Sequence, residues 1–308
     1  MELNFESNNN YLVKYRSYML KEINGVKYVV PDFNTPIDFS EPEDIRYSDL
    51  LIHEPLKDIG NVIMDLINIG QNILLKGLKE NETAIVDFVN KYGLLGFIND
   101  TPLSDTYLLD QEVILKRGHY INAKQTIQLK DYLRLFFPLL KDEELEKKIK
   151  ACKNIYEADY TKHDTTQRIN EELYYSEDYC EEIASIGMYA MYIFSVFCAA
   201  RGIAFAKTKE EKESCYDIIQ SFSVTNLNFD LSDTYESRDV KIRWEMSSLK
   251  QMIDTFFALM ISSDINTIKM CKHCKNVFLG KNPKAEYCSA KCRNQANVYK
   301  SRAKNKEQ

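Results

Sequence analysis

Four cysteines near the C-terminus carry the most specific chemistry in this sequence. They stand as Cys271-Lys-His-Cys274 and Cys288-Ser-Ala-Lys-Cys292, with thirteen residues between the pairs. Structural Zn²⁺ takes four ligands in a tetrahedron, and thiolate is a preferred one. A Cys-x2-Cys pair lets a tight turn aim two sulfurs at one ion. Cysteines four apart on a helix share a face, one turn apart. One Zn²⁺ held by Cys271, Cys274, Cys288 and Cys292 is therefore expected. The ion is structural in this reading, because four thiolates leave no open position for water. His273 is expected to face solvent from within the first pair. The competing reading is four reduced core cysteines that happen to pair.

The elements that must position these ligands follow from the residues between and after them. Residues 276–279 are Asn-Val-Phe-Leu, residues 280–283 are turn-like Gly-Lys-Asn-Pro, and Glu286-Tyr287 follow. That pattern predicts a short β-hairpin between the two cysteine pairs. A helix over residues 289–304 then carries the last ligand, and knuckle, hairpin and helix make a treble-clef-like zinc finger. At about 100° per residue, Cys292, Ala296, Tyr299 and Ala303 share a narrow seam on that helix. Arg293, Asn297, Lys300 and Lys304 form a stripe on one flank, with Lys291, Arg302 and Lys306 towards the other. Cations on both sides of a packed seam suit phosphates on either side of a groove. Lys291, Arg293, Asn297, Lys300, Arg302 and Lys304 are the expected nucleic-acid contacts. Arg293 offers a fork to phosphate or guanine, and Asn294, Gln295 and Asn297 offer amides to base edges.

Charge is distributed to match. Of 40 Lys+Arg and 46 Asp+Glu, residues 271–308 hold 10 and 2, a net of +8. That leaves 30 and 44 for the first 270 residues, a net of −14. An acidic body carrying a basic end points to a polyanion-seeking tail. The same asymmetry raises two other readings, a merely solvated tail and a tail masked by docking on its own body. Masking predicts that residues 265–308 alone bind DNA more tightly than the whole chain.

The body, residues 1–265, reads as mainly helical with a few β-hairpins, an α+β class. A length of 308 residues and 44% hydrophobic content allow a sizeable core. Asn24-Gly25 between two apolar runs predicts a hairpin with a type I′ turn. A second hairpin is expected from the alternation in Phe229, Leu231 and in Val240, Ile242, Trp244. Helices are expected after Pro55, over 83–91 with Asn81 as cap and Gly93 as stop, over 129–140, over 141–150, over 207–219 and after Ser247 or Ser248. Residues 113–116 predict a strand. The turn Tyr92-Gly-Leu-Leu-Gly96 is expected to pack on the core.

Residues 183–200 form an uncharged run of eighteen, marginal for a membrane span. With Ser185, Gly187, Tyr189, Tyr192 and Ser195 in it, a buried central helix is the expectation, with no membrane partner. No signal peptide is visible at the polar N-terminus. Cys152, Cys180, Cys198 and Cys215 have no ligand spacing and are expected as buried thiols. A reducing compartment, by default the cytoplasm, suits a thiolate site.

No catalytic motif stands out. The sequence lacks Gly-x-Gly-x-x-Gly, a Walker loop, His-Glu-x-x-His and Gly-x-Ser-x-Gly. His53, His119 and His163 are isolated. Glu171-Glu172 and Glu181-Glu182 are expected on exposed helix faces. The chain is thus expected not to be an enzyme.

The segment 224–302 resembles the C-terminal module of bacterial proteins with a CGNR-type zinc finger. The shared frame is a Trp-bearing strand (Trp244), Ser-Ser-Leu249 opening an apolar helix, Cys271-x-x-Cys274-x-x-x-Phe278, and Tyr287-Cys288-Ser289-x-x-Cys292-Arg293-Asn294, then Ala296 before a basic run. The 92–96 turn resembles one in uncharacterised Gram-positive members. Related proteins pair the finger with an N-terminal domain called ABATE and are described as stress-induced transcription regulators. Here Cys292 is followed by Arg-Asn rather than Gly-Asn-Arg, so the namesake tetrapeptide is incomplete. The resemblance implies a regulator that binds nucleic acid, DNA above all, through residues 266–308. A protein-interaction module with a structural finger, and an enzyme with its site in the body, are the alternative readings. A protein partner or small ligand of the body is compatible with the first.

Overall fold

The computed structural model describes residues 12–34, 50–100, 112–114, 126–157, 173–202, 207–224, 228–233, 240–262, 268–280 and 284–304. Strands β1 (Leu12–Tyr15), β2 (Tyr18–Ile23), β3 (Val26–Pro31) and β4 (Leu50–His53) lead into a 3-10 turn, Pro55–Asp58, and helix α1 (Ile59–Lys76). Helix α2 (Glu82–Tyr92), strands β5 (Glu112–Ile114) and β6 (Thr126–Gln128), and helices α3 (Leu129–Arg134) and α4 (Asp142–Glu157) follow. A two-residue strand β7 (Glu181–Glu182) precedes the long helix α5 (Ile183–Gly202) and helix α6 (Lys209–Gln220). Strands β8 (Asn228–Asp233) and β9 (Val240–Glu245) and helix α7 (Leu249–Ser262) complete the body. Strands β10 (Ile268–Met270) and β11 (Val277–Leu279) and helix α8 (Ala290–Lys304) form the C-terminal module. The class is α+β, mainly helical with small antiparallel sheets.

The core is built on α1 against α5. Val62, Ile63, Leu66, Ile67 and Ile73 recur at helical spacing on α1 and are buried. Gly70 lets the two backbones touch, since a Cβ there would lie 2.1 Å from the Ala190 carbonyl oxygen of α5. α5 is long and apolar enough to cross a membrane, yet it is packed inside, against α1, α2 and α6. Ile186, Tyr189, Ile193, Val196 and Phe197 are all buried. A helix apolar on every side belongs in a core or a bilayer, and here the neighbouring helices cover much of it.

Both expected hairpins form. Asn24 and Gly25 take φ of 52° and 80°, the left-handed pair that a type I′ turn demands. β8 and β9 pair antiparallel, Phe229 opposite Trp244. α6 is exposed over most of its length and opens on a capping box between Thr208 and Glu211. Ser248 caps α7, its Oγ accepting from the Gln251 N–H at 3.2 Å.

Several local expectations are corrected. Asn81 stands at the start of α2, but its side chain does not cap it; Nδ2 donates to the Gly77 carbonyl at 2.7 Å and ties off α1 instead. α3 ends at Arg134 rather than near residue 140, and tight turns carry the chain onward. Pro138 disfavours helical backbone at Phe137 and so limits the helix. The strand expected over 113–116 forms at Glu112–Ile114, paired with Thr126–Gln128, and residues 115–116 lie outside the described residues. Glu181 and Glu182 lie on a strand beside β3, and Glu181 is fully buried, against the exposed helix face expected. Glu171, Glu172, His119 and His163 lie outside the described residues.

Candidate metal centre and the basic helix beside it

The knuckle is a chain reversal enforced by its own backbone. Cys271 donates its N–H to the Asn276 carbonyl at 2.9 Å, and Lys275 donates to the Cys271 carbonyl at 3.0 Å. Lys275 takes a φ of 65°, the left-handed residue that completes the turn. This reversal places β10 and β11 side by side, Met270 opposite Val277. The hairpin therefore spans the first cysteine pair rather than lying between the two pairs, which corrects the reading of residues 276–287. The knuckle already brings the incoming and outgoing chain together, so no further turn is needed to pair them. The 286–287 stretch crosses the knuckle instead, with Lys272 N–H donating to the Glu286 carbonyl at 3.0 Å.

Ser289 accepts from the Cys292 N–H at 3.2 Å and caps α8, which swings Cys292 back over Cys288. The four sulfurs gather within 4.8 Å of one another. Cys274 and Cys288 are 3.7 Å apart, and Cys288 and Cys292 3.4 Å. Four sulfurs at about 2.3 Å from one tetrahedral ion would sit about 3.8 Å apart. The spacing fits a single metal ion, and no water ligand is required.

The electrostatics favour a cation. Burial resists ionisation of Cys271, but the backbone N–H groups of Cys288, Cys274 and His273 outweigh it and hold the thiol down at about 6. Burial, then the neighbouring sulfurs, push Cys288 up to about 12. Burial raises Cys274 as well. One thiolate is thus favoured by the chain, while Cys274 and Cys288 need a positive ion before they shed their protons.

The module is fastened to the body rather than tethered. Ile268 and Val277 are buried in the main core. Asn68 on α1 pairs with Val277 as another strand would, accepting its N–H at 2.9 Å and donating to its carbonyl at 3.3 Å. Gln71 donates to the Lys275 carbonyl at 3.3 Å, and Arg201 on α5 donates to the Ile268 carbonyl.

Of the residues expected to meet nucleic acid, Lys291, Arg293 and Asn297 are exposed on α8. Lys291 and Arg293 make no ion pair with the body among the described residues. Lys300, Arg302 and Lys304 fall within α8, but their side chains lie outside what is described. The expected apolar seam is only partly covered. Cys292 and Ala296 are half-buried, while Tyr299 is 61% exposed. His273 does not simply face solvent; its ring stacks on Tyr299, centroids 5.7 Å apart and planes 22° from parallel.

Sequence reasoning missed two polar clusters in the core. Glu181 takes the N–H groups of Leu95, Gly96 and Phe97 at 2.9, 2.6 and 3.0 Å, and the Tyr179 hydroxyl at 2.7 Å. Burial raises its pKa, and these four donors oppose that rise by favouring the carboxylate. Gly96, at a φ of 81° and with no room for a Cβ beside Ser248, shapes the turn that aims those N–H groups. On α7, Lys250 and Asp254 form a buried ion pair at 2.8 Å, and Tyr189 donates to the same carboxylate at 2.8 Å. The i,i+4 spacing of Lys250 and Asp254 was the available signal, but nothing local marks either as buried. The other described cysteines, Cys180, Cys198 and Cys215, are free thiols; Cys180 is buried and the other two are half-buried. No family model matches the sequence, and no curated protein and no solved structure matches it.

Proposed function

We propose that the protein is a regulator that binds nucleic acid, DNA in the first instance, with a structural Zn²⁺ as the anchor of its binding helix. The observation that carries this reading is the cationic helix α8, which leaves the four-sulfur cluster with Lys291 and Arg293 exposed and, among the described residues, unpaired by the body. The module packs on α1 through Asn68 and Val277, and a bound ion would tie the helix to that anchor, as a reader of a groove requires. Thiolates suit Zn²⁺ among the common divalent ions, and free half-buried thiols elsewhere suit a reducing compartment such as the cytoplasm. The resemblance of residues 224–302 to CGNR-type fingers supports the same conclusion, and transcriptional control is the role it implies.

Salt titration of binding to a duplex tests it. If about six phosphates are neutralised, log affinity falls against log salt with a slope of roughly −5. Replacing Lys291 and Arg293 with Ser should make that slope shallower by about 1 for each phosphate that is no longer neutralised. A flat response to salt would remove the nucleic-acid reading.

A second reading has its own observation. Leu74 and Leu75 are 57% and 72% exposed at the end of α1, one turn beyond Gln71, which touches the knuckle. An apolar pair beside a rigid metal-bound peg is what a protein-interaction module presents. Loss of a protein partner on Leu74→Ser with Leu75→Ser, without loss of nucleic-acid binding, would support it.

A further inference from the structure

Tyr299 poses a problem that phosphate binding leaves unsolved. A tyrosine placed only to fasten α8 to the knuckle would bury its ring. Here one face lies on His273 and the residue remains 61% exposed. Val298 beside it is 47% exposed. These two large side chains stand on a helix otherwise dominated by Lys, Arg, Asn and Gln, on the module that carries a net charge of +8. Exposing an aromatic ring to water forfeits burial, so a ligand with a complementary flat face is the natural occupant.

We infer that the Tyr299–His273 stack is a platform for an unpaired nucleobase, and that the strand held along α8 is single-stranded. This rests on the nucleic-acid reading above and narrows it. Positively charged tracks with aromatic side chains are how single strands are held without sequence preference, because every base has a π-face. A closed duplex offers its edges and phosphates, while its base faces are already stacked on one another. His273 is fixed between Cys271 and Cys274, and Tyr299 lies two turns beyond Cys292 on the same helix. The metal cluster thus sets both rings, so the platform is preorganised rather than formed on binding. The exposed amide of Gln295 lies one turn before Tyr299 on the same face of the helix, for contacts to a base's edge or the backbone.

The full-length, metal-loaded protein is measured by fluorescence anisotropy against an oligothymidine, an oligouridine and a duplex of equal length. Tyr299→Ala is expected to weaken binding to the single strands by about 5- to 150-fold, the range set by removing one base–aromatic stack. Duplex affinity and the salt slope should stay where they are, and Tyr299→Phe should restore single-strand affinity. As a measurement that needs no variant, a single strand carrying 2-aminopurine should lose fluorescence on binding the wild-type protein through ring stacking. Equal affinity of wild type and Tyr299→Ala for the single strands, or a bound 2-aminopurine strand with unchanged fluorescence, would overturn the platform while leaving duplex binding and the broader reading intact. Binding to none of the three ligands would remove both.

Discussion

The Glu181 clamp and the four-cysteine cluster solve opposite problems. At Glu181 one acceptor faces four donors, all supplied by the chain, and the knot is closed to solvent. At the C-terminus four potential anions face one another with too few donors, and two of the thiols are exposed. The first is complete as the chain folds it. The second gathers four sulfurs within reach of one ion, and the chain alone supplies too few donors to ionise them all. A buried polar group satisfied internally holds two distant segments together, here the 92–97 turn and β7. A thiolate cluster postpones its stability until metal arrives, so it makes local folding depend on an ion.

The largest expected effect separates them by metal removal. A strong chelator, or Cys274→Ser with Cys288→Ser, should cost the module on the order of 10 kcal/mol of local stabilisation. Limited proteolysis should then cut within 268–304 while the segments around Glu181 stay protected. Simultaneous loss of protection at both sites would mean that the cluster and clamp fold as one unit. Glu181→Ala is expected to cost about 3–5 kcal/mol, because it strands buried N–H groups of Leu95, Gly96 and Phe97. Metal content of that variant, measured by elemental analysis, should be unchanged.

The buried Lys250–Asp254 pair sharpens the contrast further. Lys250→Met alone should lose about 3–5 kcal/mol in denaturant unfolding, since it leaves a carboxylate buried without its cation. Lys250→Met with Asp254→Leu should recover most of that loss, the Tyr189 hydroxyl excepted. Acid acts differently on the two regions. Uptake of a metal ion should release protons from Cys274 and Cys288 at neutral pH, so affinity should rise with pH; calorimetry in buffers of different ionisation enthalpy counts them. In the body, burial and then nearby Lys14 hold His53 down at about 4. Its folded value lies below the unfolded one, so its contribution is full above about pH 6.5 and fades as pH falls through 4. His53→Gln should flatten that acid limb by about 1–2 kcal/mol, allowing for solvent screening of a partly exposed ring.

The legibility of each region follows from how far apart its partners lie in the chain. Asn24-Gly25, the Ser248 cap and the stripe on α1 are local codes, and each forms the element it predicts. The helix expected over 129–140 overruns its true end because apolar content masks the effect of Pro138. The hairpin forms elsewhere because residues 276–279 need a partner strand. Sequence order offers the following residues, while the knuckle's reversal supplies the preceding ones. Glu181 reads as a surface residue because its three N–H partners lie about 85 residues earlier.

By itself the sequence determined which four sulfurs come together, since cysteines three, fourteen and four residues apart converge through a turn and a helix that short-range hydrogen bonds enforce. It also determined the charge of the module and the identity of the central helix. Only the tertiary structure decided that this helix lies inside the protein, that Glu181 is an internal clamp, and that Asn68 locks the finger to α1. Those outcomes depend on which distant surfaces meet, and burial is a property of the assembled chain that no short window of residues contains.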